Sequence, residues 1–264
     1  MTGAPVGFVV ADHGPVRVLR LSRPERLNAV TDTMLDSLAD HVERAPHGVR
    51  CLVLTGEGRA FCSGADLQPD GSDPDGSTSS AGVATVVAGN RLVRALRDTP
   101  LPVVAALNGA TVGIGVSVAL ACDLVVAADS AYVLLPFTGI GLLPDGGATA
   151  LVAASVGRAL ALSLTLRPRR VAAEEALRMG LLHEVVAGDE LDRHVLDLAQ
   201  ALADGSGAAL AATKRAVNAA TLQGLDDALE RELREQAVLV QGADFAEAVA
   251  AFREKRPPRF HPGG

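Results

Sequence analysis

Two short stretches of this chain could do chemistry through their backbones. In "CSGAD" (Cys62–Asp66) a loop glycine, Gly64, stands directly before Ala65, and "GIGV" (Gly113–Val116) opens a helix. Each junction can leave a backbone N–H without a partner, and a helix start adds orphan donors and partial positive charge. Two such donors converging on one point form an oxyanion hole. The same residues also read as ordinary glycine turns and helix-start geometry. A developing anion would be well held at the Gly113 junction, yet the helix that follows carries Val116, Ser117 and Val118, with no carboxylate before Asp123. Ser63 does not read as a nucleophile: "CSGAD" is not a G-x-S-x-G elbow and has no evident His/Asp partner. Gly113-x-Gly115 lacks the third glycine of a dinucleotide fingerprint. The six histidines and three cysteines have no metal-ligand spacing, so no metal is expected.

The elements that must position these junctions alternate between strand and helix. Residues 6–12 and 16–22 read as a hairpin turning at His13-Gly14-Pro15. A helix capped at Thr31 or Asp32 runs to about Arg44, with Met34, Leu35, Leu38 and Val42 on one face. "VRCLVLTG" and "LPVVAALNG" read as buried strands, and "EGRAFCSGADL" as a glycine-punctuated loop. Residues 68–80, rich in Gly, Pro, Ser and Asp, read as a mobile surface loop, followed by a helix over about 83–98. Strands follow at 123–128 and 131–136. From Pro144 onward the chain reads mainly helical: 146–154, 156–164, 172–179, 189–203, 208–220, 224–240 and 242–254. The class is therefore α/β with a helical tail. No fixed-period repeat is visible. Gly205–Gly207 is the best boundary, between a core of residues 1–204 holding the site and a helical region of residues 205–264.

Composition narrows the function classes. The chain has 264 residues, 48% of them hydrophobic, enough for a sizeable buried core. A net charge of −7 argues against nucleic-acid and anionic-membrane partners. No apolar run reaches the length of a membrane helix without a Gly, Pro or charge break. The N-terminus lacks the basic and apolar regions of a signal peptide. Three cysteines without pairing signals suit a reducing, cytoplasmic setting.

"RPERLNAV", "LVLTGEGRAFCSGADL", "PVVAALNGATVGIGVSVALACDLVVAADSA", "GIGLLPDGGAT", "AEEALRMGLLHEVV" and "EKRPPRF" occur in this order over nearly the whole chain. Together they resemble the crotonase superfamily, also called the enoyl-CoA hydratase/isomerase family. That resemblance implies a spiral of ββα turns with a C-terminal helical trimerisation region. It also implies a homotrimer or hexamer, an acyl-CoA thioester as substrate and no separate cofactor, coenzyme A being part of the substrate. Ala65 and Ile114 match the two oxyanion-hole donors; the family usually has Gly at the second, and a backbone donor survives any side chain but proline. The loop around Ser63–Asp66 would line the adenine site, with Arg26 approaching the CoA phosphates and Leu67, Gly113 and Leu142 among the substrate-binding residues.

The two glutamates with which hydratases of the family add water are both replaced. Their positions are Ser117 and Phe137. Ser117 can orient a water but is too weak a base, and Phe137 can do neither task. One carboxylate stands at a family position: Asp145, in "PDGG". In relatives it shuttles a proton, and in an apolar cavity its pKa would be raised to suit that role. It could equally cap the helix that follows. The reading that results is an enoyl-CoA isomerase (3-enoyl to 2-enoyl). The alternatives are a non-catalytic acyl-CoA-binding protein and a low-activity hydratase.

Overall fold

The computed structural model describes residues 7–66 and 78–260. Leu67 and most of the segment read as a mobile loop lie outside the described residues. The hairpin forms as the alternation predicts: β1 (Phe8–His13) pairs antiparallel with β2 (Val16–Leu21), from Phe8 opposite Leu21 to His13 opposite Val16. Gly14, at φ +60°, makes the turn a side chain would strain. After it the chain climbs in ββα turns. The first strand of each turn enters a large sheet: β3 (Cys51–Gly56), β5 (Val103–Leu107) and β7 (Leu124–Ala128), all parallel. The second strand enters a small sheet: β4 (Ala60–Cys62), β6 (Ala110–Val112) and β8 (Tyr132–Leu134). Helices α2 (Thr78–Asp98) and α3 (Ile114–Ala121) close the first two turns. β3 and β5 are buried along their whole length, which is why they read as continuous apolar runs rather than alternating ones.

The sequence shows no repeat, but the structure has one: strand in the large sheet, strand in the small sheet, helix. The second strands are three residues long, too short for any periodicity, so "AFC" reads as part of a loop although Ala60, Phe61 and Cys62 are all buried. β9 (Val171–Ala172) and β10 (Glu184–Val186) are missed for the same reason. The helix expected from about residue 83 begins at Thr78.

Between the hairpin and β3 lies α1 (Asp32–Glu43), whose Met34 N–H is capped by the Thr31 hydroxyl. The remaining helices are α4 (Ala148–Leu166), α5 (Ala173–Met179), α6 (Leu191–Asp204), α7 (Gly207–Thr221), α8 (Leu225–Leu239) and α9 (Ala243–Glu254). The two helices expected at 146–154 and 156–164 are both present within α4, separated by a kink at Gly157, whose φ and ψ are not helical. α4 is long and apolar enough to cross a membrane by length and composition, and Leu160, Leu162 and Leu166 are exposed on it.

The helical tail is not a separate body. From α7, Lys214 reaches the carbonyls of Leu96 and Leu101 and pairs with Asp123 at 2.9 Å. Asp123 in turn accepts from Val103 N–H at the start of β5. α8 packs on α2 and α4, and α9 packs on the 3-10 turn Phe137–Ile140.

Candidate active site

The first loop is set by the residues around "RLNAV". Asn28 is fully buried at φ +56°, a conformation asparagine tolerates better than most residues. Its side-chain oxygen accepts from Arg23 N–H, and its Nδ2 donates to the carbonyls of Glu57 and Ala60 at 3.0 and 2.7 Å. One buried amide thus ties the loop to β3 and β4. Val30 then forms a parallel bridge opposite Ala65: Val30 N–H donates to Gly64 O and Asp66 N–H to Val30 O, both at 2.9 Å. Successive peptide groups of an extended chain point to opposite sides. With Gly64 O and Asp66 N–H committed to Val30, the N–H of Ala65 faces the other way.

The second junction meets the first across two glycines. Gly113, at φ +58°, donates to Leu134 O and turns the chain into α3, whose first residue is Ile114. A methyl group on Gly113 would stand 3.6 Å from Gly64 Cα and 3.8 Å from the Phe137 ring. One on Gly115 would strike Cys62 at 2.8 Å, so that glycine lets α3 lie directly on β4. Among the described residues, neither Ala65 N–H nor Ile114 N–H has a protein acceptor. Both residues line one cleft of about 120 Å³. The Ile114 side chain does not fill it: its δ-carbon is seated in a niche between Gly89 of α2 and Gly146.

Asp145 lines the same cleft and is the only ionisable side chain that does so among the described residues. It is buried, and its carboxylate accepts a 2.8 Å hydrogen bond from Gln236 Nε2. Burial pushes its pKa up to about 7; Gln236 opposes that rise and the neighbouring Glu232 carboxylate adds to it. Asp145 does not cap α4. That position is taken from α8: Glu232 accepts from Gly147 N–H at 2.6 Å, from Thr149 N–H at 2.9 Å and from the Thr149 hydroxyl. The local N-cap residue, Gly147, has no side chain to offer. With the helix start satisfied from elsewhere, the Asp145 carboxylate is released from capping and bonds instead to Gln236, another residue of the cleft lining. Glu232→Ala would strand those donors, and the expected loss of stability is about 2 kcal/mol, read by chemical denaturation.

The other residues singled out in the sequence divide between cleft and scaffold. Ser63, Gly113, Phe137 and Leu142 line the cleft. Ser117 does not: it is fully buried, and its hydroxyl donates to the Asp145 backbone carbonyl at 2.7 Å. A hydroxyl whose proton is committed in this way braces the Asp145 turn. Asp66 also stands outside the lining, held in an ion pair with Arg23 at 2.8 Å. Arg26 lies in the 3-10 turn Pro24–Arg26, where its carbonyl accepts from the Ser63 hydroxyl, and it is not part of the lining. Leu67 is outside the described residues. Among these, no group of three or more His, Cys, Asp or Glu side chains converges as a metal site. The three thiols are free and buried, with burial pushing Cys62 up to about 11 and Cys51 to about 12.

Sequence reading missed the contribution of the tail. Gln236, Val240 and Phe245 close one side of the cleft, so it does not belong to residues 1–204 alone. A signal was available on α8. Leu225, Leu229, Glu232 and Gln236 follow one another at helical spacing on the buried face, and two of the four are polar. Polar residues on an apolar stripe are buried with partners or not at all.

Comparison with known proteins agrees with this architecture. The family model described as Enoyl-CoA hydratase/isomerase matches residues 12–263. This chain belongs to that family. A relative from Rhodobacter capsulatus named "Probable enoyl-CoA hydratase" is 44% identical, over 92% of this chain and 93% of its own. The "1,2-epoxyphenylacetyl-CoA isomerase" of Escherichia coli K12 is 39% identical, over 93% and 94%. A crystal structure of an enoyl-CoA hydratase from Mycobacterium avium subsp. paratuberculosis K-10 superposes with a TM-score of 0.89. It is 40% identical and covers 97% of this chain and 99% of its own. The ββα spiral of the enoyl-CoA hydratase/isomerase family is therefore the fold of this chain, and the family's enzymes are its relatives.

Proposed function

We propose that this family member is a CoA-thioester isomerase that moves a double bond from the 3- to the 2-position of an enoyl-CoA. The observation that carries this reading is Asp145, the one ionisable residue lining the cleft among the described residues, beside two amides that have no protein acceptor among them. Ionised Asp145 takes a proton from Cα. The electron pair moves onto the thioester oxygen, where the N–H groups of Ala65 and Ile114 hold the negative charge. The same carboxyl returns the proton at Cγ, leaving the conjugated product and a regenerated base. One movable proton suffices and no water is consumed.

Hydration makes a different demand: one group to deprotonate water and another to protonate Cα. Ser117 has its proton engaged with the Asp145 carbonyl, and Phe137 has none to give. The expected result is that a 3-enoyl-CoA becomes conjugated, followed by absorbance, while crotonyl-CoA is hydrated about 10²-fold more slowly or worse, as the absence of one well-placed acid–base group implies. Hydration at a comparable rate, or tight acyl-CoA binding without turnover of any substrate, would overturn the reading.

A second reading concerns the acyl group. Phe137 and Phe245 both line the cleft in a chain with only six phenylalanines, which suits a ring-bearing acyl chain. The 39% identity to an epoxyphenylacetyl-CoA isomerase supports the same view, and an aryl epoxide thioester belongs in the same assay. Assembly as a homotrimer or hexamer is supported by the exposed Leu160, Leu162, Leu166 and Val217 on α4 and α7.

A further inference from the structure

Helix α8 grips the turn that carries Asp145 at two points. Glu232 and Gln236 stand four residues apart on its buried face, one helical turn from each other. Glu232 holds the residues after Asp145, through Gly147 and Thr149. Gln236 holds the residues before it and Asp145 itself. Its Oε1 accepts from Leu143 N–H at 3.2 Å, and its Nε2 donates to Leu143 O at 3.1 Å and to Asp145 Oδ2 at 2.8 Å. The Leu143 peptide fixes which way the amide faces. Only a side-chain oxygen can meet that N–H, so the NH₂ end must point toward the carboxylate. Gln236 is itself nearly inaccessible.

We propose that Gln236 is a positioning residue for the proposed proton transfer: from the C-terminal helix it orients the Asp145 carboxylate toward the cleft and favours its ionised form. This rests on the reading of Asp145 as the proton shuttle. A hydrogen bond donated to a carboxylate stabilises the anion, and here it works against burial and against the one charged neighbour that acts on Asp145 among the described residues, Glu232. From α3 the turn is faced by Ser117 and Ile114, and from the 3-10 turn by Phe137, none of them ionisable. α9 contributes Phe245 to the same cleft. Without Gln236 the proton is held more tightly and less of the base is present at neutral pH.

The test is Gln236→Met, similar in length but without a donor. Two readouts are taken on the purified full-length protein: the pH dependence of kcat/KM with a 3-enoyl-CoA, and the titration of Asp145 by NMR of protein labelled at the aspartate carboxyl carbon, assigned with Asp145→Asn. In the variant the rising limb of the rate profile and the NMR midpoint both move to higher pH. A move of one unit makes kcat/KM about fivefold lower at pH 7 and about tenfold lower well below it, with the deficit narrowing as the pH is raised past the new midpoint. An unmoved midpoint, or a loss equal at every pH, overturns the proposal, because a merely structural role lowers activity without shifting either curve. If the parent protein does not isomerise 3-enoyl-CoA but the Asp145 midpoint still moves, the isomerase reading fails while the hold of Gln236 on the ionised Asp145 carboxylate stands.

Discussion

Asp145→Asn is expected to lower kcat for 3-enoyl-CoA isomerisation by about 10²–10⁴-fold, the contribution of a well-placed general acid–base group, while acyl-CoA affinity measured by calorimetry changes little. Asparagine keeps the shape and can still accept from Gln236, so what disappears is proton transfer. The same substitution should make the protein more stable above neutral pH. The carboxyl titrates near 7 in the folded protein against an ordinary value of 3.8. Between those values the folded state holds a proton that the unfolded state has released, so folding is favoured at low pH and that advantage fades as pH rises through 7. Asparagine never ionises. At pH 8 the variant should therefore exceed the parent by about 4 kcal/mol, from about 1.4 kcal/mol per pKa unit. The gap should close toward pH 4. Denaturation curves at pH 4, 6 and 8 check it; a gap that does not vary with pH would mean the carboxyl is not held in its neutral form by burial. Lost activity paired with gained stability is the signature of a strained functional group rather than a structural one.

Ile114→Pro is the second large effect. Position 114 is the first residue of α3, where proline is well accepted because the amide there has no helical partner. Proline deletes that one N–H. If it holds the thioester oxygen, kcat should fall by about 10²–10³-fold, as when an oxyanion-hole donor is removed. Proline also forfeits the contacts of the isoleucine side chain with Gly89 and Gly146, so Ile114→Ala is the control. Alanine loses the same packing and keeps the N–H. Equal losses in the two variants would assign the effect to packing and remove Ile114 from the oxyanion site.

Much of this site is legible in residue order. Gly64 before Ala65 and Gly113 before Ile114 mark two places where the backbone turns sharply and an amide can be left over. The absence of glutamate at positions 117 and 137 is equally plain. Buried strands such as "CLVLTG" declare themselves as apolar runs. The three-residue strands "AFC" and "EVV" do not, because nothing in them distinguishes a sheet from a loop until a neighbouring strand supplies the hydrogen bonds.

Asp145 marks the boundary between the two sources of information. By sequence alone "PDGG" is a helix start, and its aspartate caps or catalyses with equal plausibility. The tertiary structure answers for the cap: Glu232 arrives from α8 to satisfy the N-terminal donors of α4, while Asp145 is one of the residues lining the cleft. Likewise Ser117, where the resemblance expects a catalytic residue, shows itself as a brace only through its 2.7 Å bond to the Asp145 carbonyl. Local sequence determines which backbone groups can be unpaired and which acids exist. Which acid is buried, who shares its hydrogen bonds and therefore where its proton sits depend on residues distant in the chain that packing alone brings together.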